Sequence, residues 1–262
     1  MSSQGRLQFS LATPGLKLSA REAPWDSAIF LAPVAQIDLL QVLDSHAALE
    51  DYAQYQAWVA SEHIGIVSCR LAHDRLRESM LLEANGFRFI EMVLHPRLDG
   101  LQKRSITADD LKILPATEAD IPSLREIAAT AFSNERYHID PRLNPRLGDE
   151  RYARWVGNSL GHKTQQLLKV LDGGRLIGLF VVEATSSQSV YWHLTAISPQ
   201  WQGCGYGRRV WASMLRHHQE QGHETVSTTI SARNVRVLNL YAFLGFRFMP
   251  PEMTLHWVRG SE

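Results

Sequence analysis

Two stretches of the chain repeat the same order of strand, helix and strand. Each copy has a β-type segment, over residues 67–71 or 226–230, then a helical stretch and the shared motif Gly-Phe-Arg-Phe. A second shared motif, Glu-Met-x-Leu-His, follows in both copies, with Pro250-Pro251 inserted in the second. A glycine commonly ends a helix, so one such match could arise independently. Two motifs in the same order favour an internal duplication.

A glycine-rich loop joins an apolar strand to an amphipathic helix in the second copy only. The strand is predicted over residues 190–197, and the helix begins at about Tyr206 with an apolar stripe that includes Val210 and Trp211. Glycines let a backbone approach a ligand, and the N–H groups of a helix N-terminus attract anions. The corresponding residues 43–48 contain no glycine, and Leu82 stands where the second copy has Tyr241. The first copy is therefore interpreted as a degenerate half without a phosphate-binding loop.

The spacing in this loop excludes two common nucleotide motifs. G-x-G-x-x-G would need a third glycine at Val210, and the P-loop sequence G-K-[ST] never occurs. The loop instead matches the pattern Q/R-x-x-G-x-G/A, with Gln202, Gly205 and Gly207 at its defined positions. The strand segment of residues 194–199 precedes it. This pattern resembles the coenzyme A loop of the GNAT N-acyltransferase superfamily. A glycine-rich turn without a ligand is the alternative that the loop alone leaves open.

The predicted elements between residues 111 and 258 extend this resemblance. Their order is β-α-α-β-β-β-α-β-α-β, with a long polar loop over residues 133–148, and it is similar to that of the GNAT fold. The resemblance implies an α/β protein with a mixed α+β sheet and two GNAT-like halves in tandem. We expect a degenerate N-terminal half over residues 1–104, forming one wall of an acceptor cleft, and a catalytic acyl-CoA-binding domain over residues 105–262.

Composition excludes several classes of function. Lys+Arg and Asp+Glu number 27 each, and no long basic run occurs, so neither a nucleic acid nor an anionic membrane is expected as a partner. Two cysteines form no disulfide framework and indicate a reducing compartment. No apolar run is long enough for a signal peptide or a membrane span, which predicts a soluble cytoplasmic protein. The 11 histidines are scattered without metal-ligand spacing, so no metal is expected.

The resemblance implies that acetyl-CoA, or another acyl-CoA, is the co-substrate. Its pantetheine would bind the strand that precedes the loop, its pyrophosphate would bind the loop, and the Leu194 N–H would face the thioester oxygen. Asn234 and Tyr241 match the N-x(6)-Y of the superfamily's last helix, so Asn234 would help to hold the cofactor. Tyr241 would face the opening and protonate the leaving thiolate, for which a weak acid is sufficient; an aromatic side chain of the core is the alternative. The expected acyl-CoA-binding residues are Leu194, Thr195, Ala196, Ile197, Gln202, Gly203, Cys204, Gly205, Tyr206, Gly207, Arg208 and Asn234.

The attacking amine must lose a proton, and the sequence offers more than one acceptor for it. His193 lies on the strand before the loop and is the candidate base, with Glu183 on the neighbouring strand as its rival. A chain of water molecules to solvent, with His193 as a structural residue, is the alternative. Cys204 lies where a phosphate would bind, so it is not expected to act as a nucleophile.

A narrower resemblance concerns the acceptor. Residues 25–30, 82–87, 120–125, 131–137 and 151–155 are similar to TDP-4-amino-4,6-dideoxygalactose (TDP-fucosamine) N-acetyltransferases and related nucleotide-aminosugar acyltransferases of polysaccharide biosynthesis. This implies direct attack, in a ternary complex, by the amine of a TDP-linked amino-dideoxy sugar. A GNAT enzyme for another amine (a polyamine, an antibiotic or a protein N-terminus) and a non-catalytic acyl-CoA sensor are the alternatives.

The resemblance also suggests which side chains would bind a nucleotide sugar. Basic residues of the predicted loop would hold its phosphates, and an aromatic ring would stack on its base or sugar. The alternative is a solvated loop whose charges bind nothing specific. These small molecules are the expected partners, with a homodimer as a candidate assembly. The expected phosphate-binding residues are Arg136, His138 and Arg142, the stacking residues are Tyr137 or Trp25, and Asp140 would bond to sugar hydroxyls.

Overall fold

The computed structural model describes residues 7–261, which form two compact units. Unit 1 comprises the described residues up to Met92, the short segment Asp140–Leu143, and the described residues from Pro250 onward. Unit 2 comprises Val93–Ile139 and Asn144–Met249. No helix among residues 7–261 is long and apolar enough to cross a membrane.

Unit 1 is a mixed sheet in the order β1-β2-β3-β4-β12. β3 and β4 are parallel, and the other pairs are antiparallel. Its core packs Tyr52 and Tyr55 of one helix against strand residues such as Leu18 and Cys69. The elements that contribute residues to this unit are β1 (Gln8–Ala12), β2 (Leu16–Glu22), α1 (Pro24–Phe30), β3 (Val34–Val42), α2 (Ser45–Ser61), β4 (Ile66–Ala72), α3 (Leu76–Ala84), the start of β5 (Arg88–Leu98) and the end of β12 (Arg247–Val258).

In unit 2 the strands follow the order β5-β10-β9-β8-β7-β6, with β11 paired to β5. β9 and β10 are parallel, and the remaining pairs are antiparallel. Its other elements are β6 (Lys112–Pro115), α4 (Ile121–Ala131), α5 (Arg136–Ile139), α6 (Pro145–Ser159), β7 (Gln165–Asp172), β8 (Arg175–Ser186), β9 (Ser189–Ile197), α7 (Tyr206–Glu220), β10 (Thr225–Thr228), β11 (Ile230–Ser231) and α8 (Val235–Phe243).

The predicted mixed α/β class and element order are confirmed, with three corrections. The loop predicted over residues 133–148 contains α5 and the first turn of α6. Helix α6 begins early because the Asn144 side chain accepts a hydrogen bond from the Arg146 N–H, and Pro145 suits the first helical position. The β-type segment predicted over residues 226–230 is two strands: β10 pairs with both β9 and β5, whereas β11 pairs with β5.

The third correction concerns the division of the chain. A single boundary between residues 104 and 105 does not describe the two units, because the last strands of the repeats are divided between them. The end of β5 pairs with β10 and β11 of unit 2, at Leu98 with Val226 and at Leu94 with Ile230. The end of β12 pairs with β4 of unit 1 over residues 252–258.

Candidate functional site

A β-bulge in β9 directs successive side chains to different cores of unit 2. Leu194 pairs with Val181 of β8 and Trp192 pairs with Val182, which leaves His193 as the extra residue. Trp192 consequently packs in the core under α7, whereas Leu194 packs in the core under α4 and α6. A bulge re-aims the side chains that follow it and often lies beside an active site. Here it places His193 and Thr195 on opposite faces of the sheet.

The strands β9 and β10 separate immediately after this bulge. Their described pairing covers four positions and ends where Trp192 meets Thr228, whose Oγ1 donates to the Trp192 carbonyl at 2.8 Å. β9 continues to Ile197 without a described β10 partner. The backbone of residues 193–197 is therefore next to the gap between the strands, where the resemblance placed a pantetheine chain.

The glycine-rich loop leaves the N-terminus of α7 without a side-chain cap. Gly205 is the N-cap residue with φ 83°, and Gly203 has φ 80°, both in the left-handed region that favours glycine. A Cβ at Gly205 would meet no heavy atom within 4 Å, so the backbone conformation rather than crowding requires glycine there. The first N–H groups of a helix have no partner within it. This exposed loop can therefore hold an anion, and it fits the pyrophosphate of coenzyme A.

Contacts on both sides hold this loop in place. The Tyr206 hydroxyl donates to Asp172 Oδ2 at 2.7 Å, which joins the first residue of α7 to the end of β7. Gln202 Nε2 donates to the Ile197 carbonyl at 3.0 Å. The Arg208 guanidinium lies 4.0 Å from the centre of the Phe243 ring of α8. The loop is thus positioned by its own side chains, while Gly203 and Gly205 remain exposed.

Tyr241 lies at the point where β9 and β10 separate, but it is enclosed rather than open to solvent. It is 1% exposed, and its ring packs 4.8 Å from Phe246 and 6.5 Å from Trp211. Burial raises the pKa of Tyr241, and contacts of its hydroxyl with Trp211, Thr195 and Thr228 partly oppose that shift. The expectation that Tyr241 faces an open cleft is therefore corrected. Its hydroxyl nevertheless lies beside Thr228, the last residue of β10 that pairs with β9.

Asn234 is the N-cap of α8. Its side-chain oxygen accepts a hydrogen bond from the Val237 N–H at 3.3 Å. The structure therefore gives this side chain a local role in starting the helix, beside the cofactor-binding role predicted for it. The neighbouring Arg236 approaches the loop more closely, with Nη2 3.8 Å from the position of a Cβ on Gly203.

The two rival bases form one pair. His193 Nε2 lies 2.7 Å from Glu183 Oε2, and the two side chains are 21% and 27% exposed. The hydrogen bond from His193 lowers the pKa of the Glu183 carboxyl, so this carboxyl is ionised at neutral pH. The sequence could not show this pairing, because the bulge that brings His193 toward Glu183 depends on the register of β8 and β9.

Two residues expected to meet the acceptor are occupied within unit 2. Tyr137 is 0% exposed, and Arg136 Nη2 donates to its hydroxyl at 3.0 Å. The His138 ring is also buried, with Nε2 3.1 Å from Asp149 Oδ1. Tyr137 offers no free face for stacking in this structure. Of the two predicted stacking residues, Trp25 in α1 of unit 1 is the exposed one, at 52%.

Arg142 and Asp140 are also occupied, within unit 1. Arg142 donates to both carboxylate oxygens of Asp140 at 2.9 and 2.8 Å and to the His256 carbonyl at 3.1 Å. His256 Nδ1 lies 3.0 Å from Asp140 Oδ2. Arg142 Nε and Nη2 and both Asp140 carboxylate oxygens are thus engaged within the unit, whereas Arg142 Nη1 is buried without a hydrogen-bond partner among the described residues.

Sequence reasoning gave no role to the aromatic side chains of α6. Rings of Phe132, Tyr152 and Trp155 follow one another at 4.6 and 6.4 Å, and the Trp155 ring lies 6.0 Å from His193. The Arg151 guanidinium lies 5.4 Å from the Trp155 ring. Residues 152 and 155 are three apart, a spacing that places both side chains on one face of a helix, but this spacing is equally typical of a face that only packs in the core. Among residues 7–261, no group of His, Cys, Asp and Glu side chains is arranged to hold a metal ion.

Comparison with known proteins agrees with this geometry. The model of the acetyltransferase (GNAT) family matches residues 121–246, which include β9, the glycine-rich loop and α8. The chain contains a GNAT acetyltransferase domain. A curated relative, the spore coat polysaccharide biosynthesis protein SpsD of Bacillus subtilis (strain 168), is 25% identical over 148 residues. That match covers 56% of this chain and 51% of the relative, so the chain spans about half the length of SpsD.

Solved structures resemble the fold over nearly the whole chain. A functionally unknown conserved protein from Staphylococcus epidermidis ATCC 12228 has a TM-score of 0.66 at 10% identity, over 95% of this chain and 92% of that one. A tandem GNAT protein from the clavulanic acid biosynthesis pathway has a TM-score of 0.61 at 12% identity, over 98% and 84% of the two chains. These similarities support the tandem GNAT fold, for which the repeated motifs predicted the duplication and the family resemblance predicted the fold of each half.

Proposed function

We propose that this protein is an N-acetyltransferase that transfers the acetyl group of acetyl-CoA to the amine of a TDP-linked amino-dideoxy sugar. One observation supports this most strongly: the uncapped N-terminus of α7 lies directly after β9, the strand that separates from β10. An anion site directly after a strand end that has no described β10 partner suits a long ligand with a phosphate part and an amide-containing arm. Coenzyme A has both.

Different residues of this region would bind different parts of acetyl-CoA. The N–H groups of Gly205, Tyr206 and Gly207 would hold the pyrophosphate, with Arg236 close to the loop. The backbone of residues 194–197 would bond to the pantetheine amides. When bound, acetyl-CoA supplies an acyl group activated as a thioester. The Leu194 N–H would donate to the carbonyl oxygen as negative charge develops on it, which is worth about 3 kcal/mol for a well-placed donor.

Tyr241 is the proposed acid. Its hydroxyl is surrounded by Thr195 and Thr228, which belong to the two strands at the point where they separate. Burial raises the pKa of Tyr241, so the phenol stays protonated and can give its proton to a departing thiolate. The enclosed position also keeps this proton from exchanging freely with bulk water.

The sugar acceptor is supported by relatives more than by geometry. A relative named for polysaccharide biosynthesis and the narrower resemblance to nucleotide-aminosugar acyltransferases both favour it. The engagement of Arg142 with Asp140, and the burial of Tyr137, favour a second candidate: a GNAT acetyltransferase for a different small amine. Both candidates use the same donor site.

Release of free thiol from acetyl-CoA, measured with a panel of amines, tests the proposal. The panel contains TDP-4-amino-4,6-dideoxy sugars, UDP-linked amino sugars, polyamines and aminoglycosides. We expect the TDP-amino sugars to give the highest kcat/KM. Preference for another amine would overturn the sugar assignment and keep the enzyme class. Tight acetyl-CoA binding without thiol release for any amine would instead indicate an acyl-CoA sensor.

A further inference from the structure

Unit 1 contains a cavity of about 510 Å³ between the C-terminal half of α2, the turn after α3 and the end of β12. Small-molecule sites usually measure about 300–1,000 Å³. We propose that this cavity is a second ligand site, which binds a flat, carbonyl-bearing ring with an anionic group, as in a pyrimidine nucleoside monophosphate. Its described lining residues belong to unit 1, whereas the proposed donor site belongs to unit 2, so the inference goes beyond the proposed acetyl transfer.

A buried hydroxyl without a partner indicates that the cavity takes a ligand. Tyr55 lines the cavity and is 1% exposed, and its hydroxyl makes no hydrogen bond to a described residue. Polar groups in protein interiors are normally paired, because an unpaired one has lost its water without replacement. A ligand with a polar atom in the cavity would supply the missing partner of this hydroxyl.

The nitrogen-bearing side chains of the wall indicate what this ligand must offer. Trp257, Arg88 and Arg259 line the cavity, and their N–H groups can only donate. Arg259 is held in place, because its Nε and Nη2 donate to the Ile64 and Val59 carbonyls at 2.8 and 3.0 Å. Its guanidinium lies 5.7 Å from the centre of the Trp257 ring. A ligand rich in acceptor oxygens suits these donors, and the two guanidinium groups favour an anion.

An amide pair on the same wall supplies an acceptor. Gln56 Nε2 donates to Asn85 Oδ1 at 2.9 Å, and Asn85 Nδ2 donates to the Leu81 carbonyl at 2.7 Å. With these amide nitrogens engaged, the Gln56 oxygen is the acceptor that the pair offers to a ligand. A pyrimidine base such as uracil has two carbonyl oxygens with one N–H between them. Such an edge matches a wall that has several donors and an amide oxygen.

In unit 2 the corresponding place is filled by the chain itself. Gly86 lines the cavity, and Gly245 has the same position in the second repeat. Arg104 Nη1 lies 2.8 Å from the position of a Cβ on Gly245. Gln219 Nε2 donates to the Leu101 and Arg104 carbonyls at 2.6 and 2.9 Å. The segment that follows β5 thus covers in unit 2 the place that is a cavity in unit 1.

Calorimetric titration of uridine 5′-monophosphate (UMP) into the full chain tests the site. Acetyl-CoA is present at saturation, so that the proposed donor site is occupied. Uridine and inorganic phosphate, titrated separately, measure the contributions of the ring and of the anion. We expect one UMP per chain, weaker binding of uridine and still weaker binding of phosphate. Absence of UMP binding would overturn the proposal, and tighter binding of adenosine 5′-monophosphate, whose base has no carbonyl oxygen, would overturn the pyrimidine assignment.

Two variants distinguish this cavity from any other nucleotide site. Tyr55→Phe removes the unpaired hydroxyl and should weaken UMP and uridine about tenfold each, without lowering the stability of the ligand-free chain. Arg88→Gln should weaken UMP about tenfold and leave uridine unchanged. Arg77→Gln, at an exposed arginine of α3 outside the cavity wall, is the matched control and should bind both as the wild type does. Wild-type UMP affinity in Tyr55→Phe would overturn the site.

Discussion

Each half contains two parallel strands that separate part-way along their length, but the halves differ in what occupies the gap between these strands. In the first half, β3–β4 pairing ends at Ile37 and Cys69, although both strands continue; in the second half, β9–β10 pairing ends at Trp192 and Thr228. The first separation is filled from within. Glu78 Oε1 accepts from the Val42 N–H at 2.9 Å. The corresponding strand in the second half, β9, has the backbone to which we assign the pantetheine.

The helices that follow these strands differ in the same way. In α2 the Asp44 carboxylate accepts from the His46 and Ala47 N–H groups at 2.9 Å each, so an anion is already present at the helix N-terminus. In α7 the N-cap is Gly205, which has no side chain to play that part. From this comparison we infer that the fold by itself does not make an acyl-CoA site. The site requires that the chain leave the strand backbone and the helix start unoccupied.

The largest effect is expected from Tyr241, whose repeat position in the first half is the apolar Leu82. Tyr241→Phe should lower kcat about 100-fold or more, because the leaving thiolate loses its proton donor. The KM for acetyl-CoA and the free energy of unfolding should change little, since the ring and its packing remain. Tyr52→Phe, at a buried tyrosine of unit 1, is the matched control and should keep wild-type kcat. A Tyr241→Phe variant with full kcat would contradict the assignment.

The next largest effect tests the filled separation in the first half. Glu78→Ala should lower the free energy of unfolding by about 2–3 kcal/mol, because it leaves the Val42 N–H buried without its partner and removes the ion pair with Arg75. Glu83→Ala changes an exposed glutamate of the same helix and should cost little. Denaturant unfolding with both variants measures the difference. Equal stabilities would show that Glu78 does not hold the strand.

The free energy of unfolding should depend on pH through buried histidines of the second half. Burial lowers the pKa of His218 from 6.5 to about 3, and its Nε2 accepts from the Trp192 indole at 3.0 Å. Because the unfolded state then binds a proton more readily than the folded state, stability is complete above pH 6.5 and falls as the pH decreases. We expect a loss of about 2 kcal/mol between pH 7.5 and pH 5. The corresponding part of α2 contains Trp58 and Val59 and no histidine.

Denaturant midpoints across this pH range measure the effect. His218→Gln should remove the largest part of the slope, and the residual slope should come from His138, His217 and His223, whose pKa values burial also lowers. His73→Gln, at an exposed histidine of unit 1, should leave the slope unchanged. An unchanged slope in His218→Gln would contradict the expected linkage.

The smallest effect is expected at the α2 cap. Asp44→Ala should lower the free energy of unfolding by about 1 kcal/mol, the usual value of a lost N-cap. It should create no second acetyl-CoA site, because Glu78 and Arg75 still occupy the separation between β3 and β4. Thermal unfolding with and without acetyl-CoA measures both points. Additional stabilisation of this variant by acetyl-CoA would show that the Asp44 cap alone prevents acetyl-CoA from binding to the first half.

The sequence was sufficient where function depends on local chemistry. The glycines, the strand before them and the helix after them are read from neighbouring residues, and the structure confirms these elements. The contacts that each side chain makes could not be predicted from neighbouring residues. Alternating Val190, Trp192, Leu194 and Ala196 predict one apolar face, yet the bulge at His193 sends them to two cores. A bulge depends on the register with a second strand, which no local pattern encodes.

The contacts of the residues predicted to bind the acceptor were hidden for a related reason. The basic and aromatic residues over 136–142 are as compatible with a ligand-binding loop as with a segment whose charged side chains pair with other residues of the protein. Their partners are distant in sequence: the His256 carbonyl and imidazole that meet Arg142 and Asp140 lie 114 and 116 residues away. The exchange of strand ends between the units was hidden in the same way, because both copies carry the same motifs.

Calorimetric titration of acetyl-CoA into the wild type, Gly205→Asn and Gly205→Asp tests the central claim most directly. Asn and Asp both tolerate the left-handed backbone at this position, and only Asp adds the carboxylate that the first half carries. We predict one acetyl-CoA per chain in the wild type, nearly the same affinity in Gly205→Asn, and affinity at least about tenfold weaker in Gly205→Asp. Two sites per chain, or equal affinities in the Asn and Asp variants, would contradict a single donor site at the uncapped start of α7.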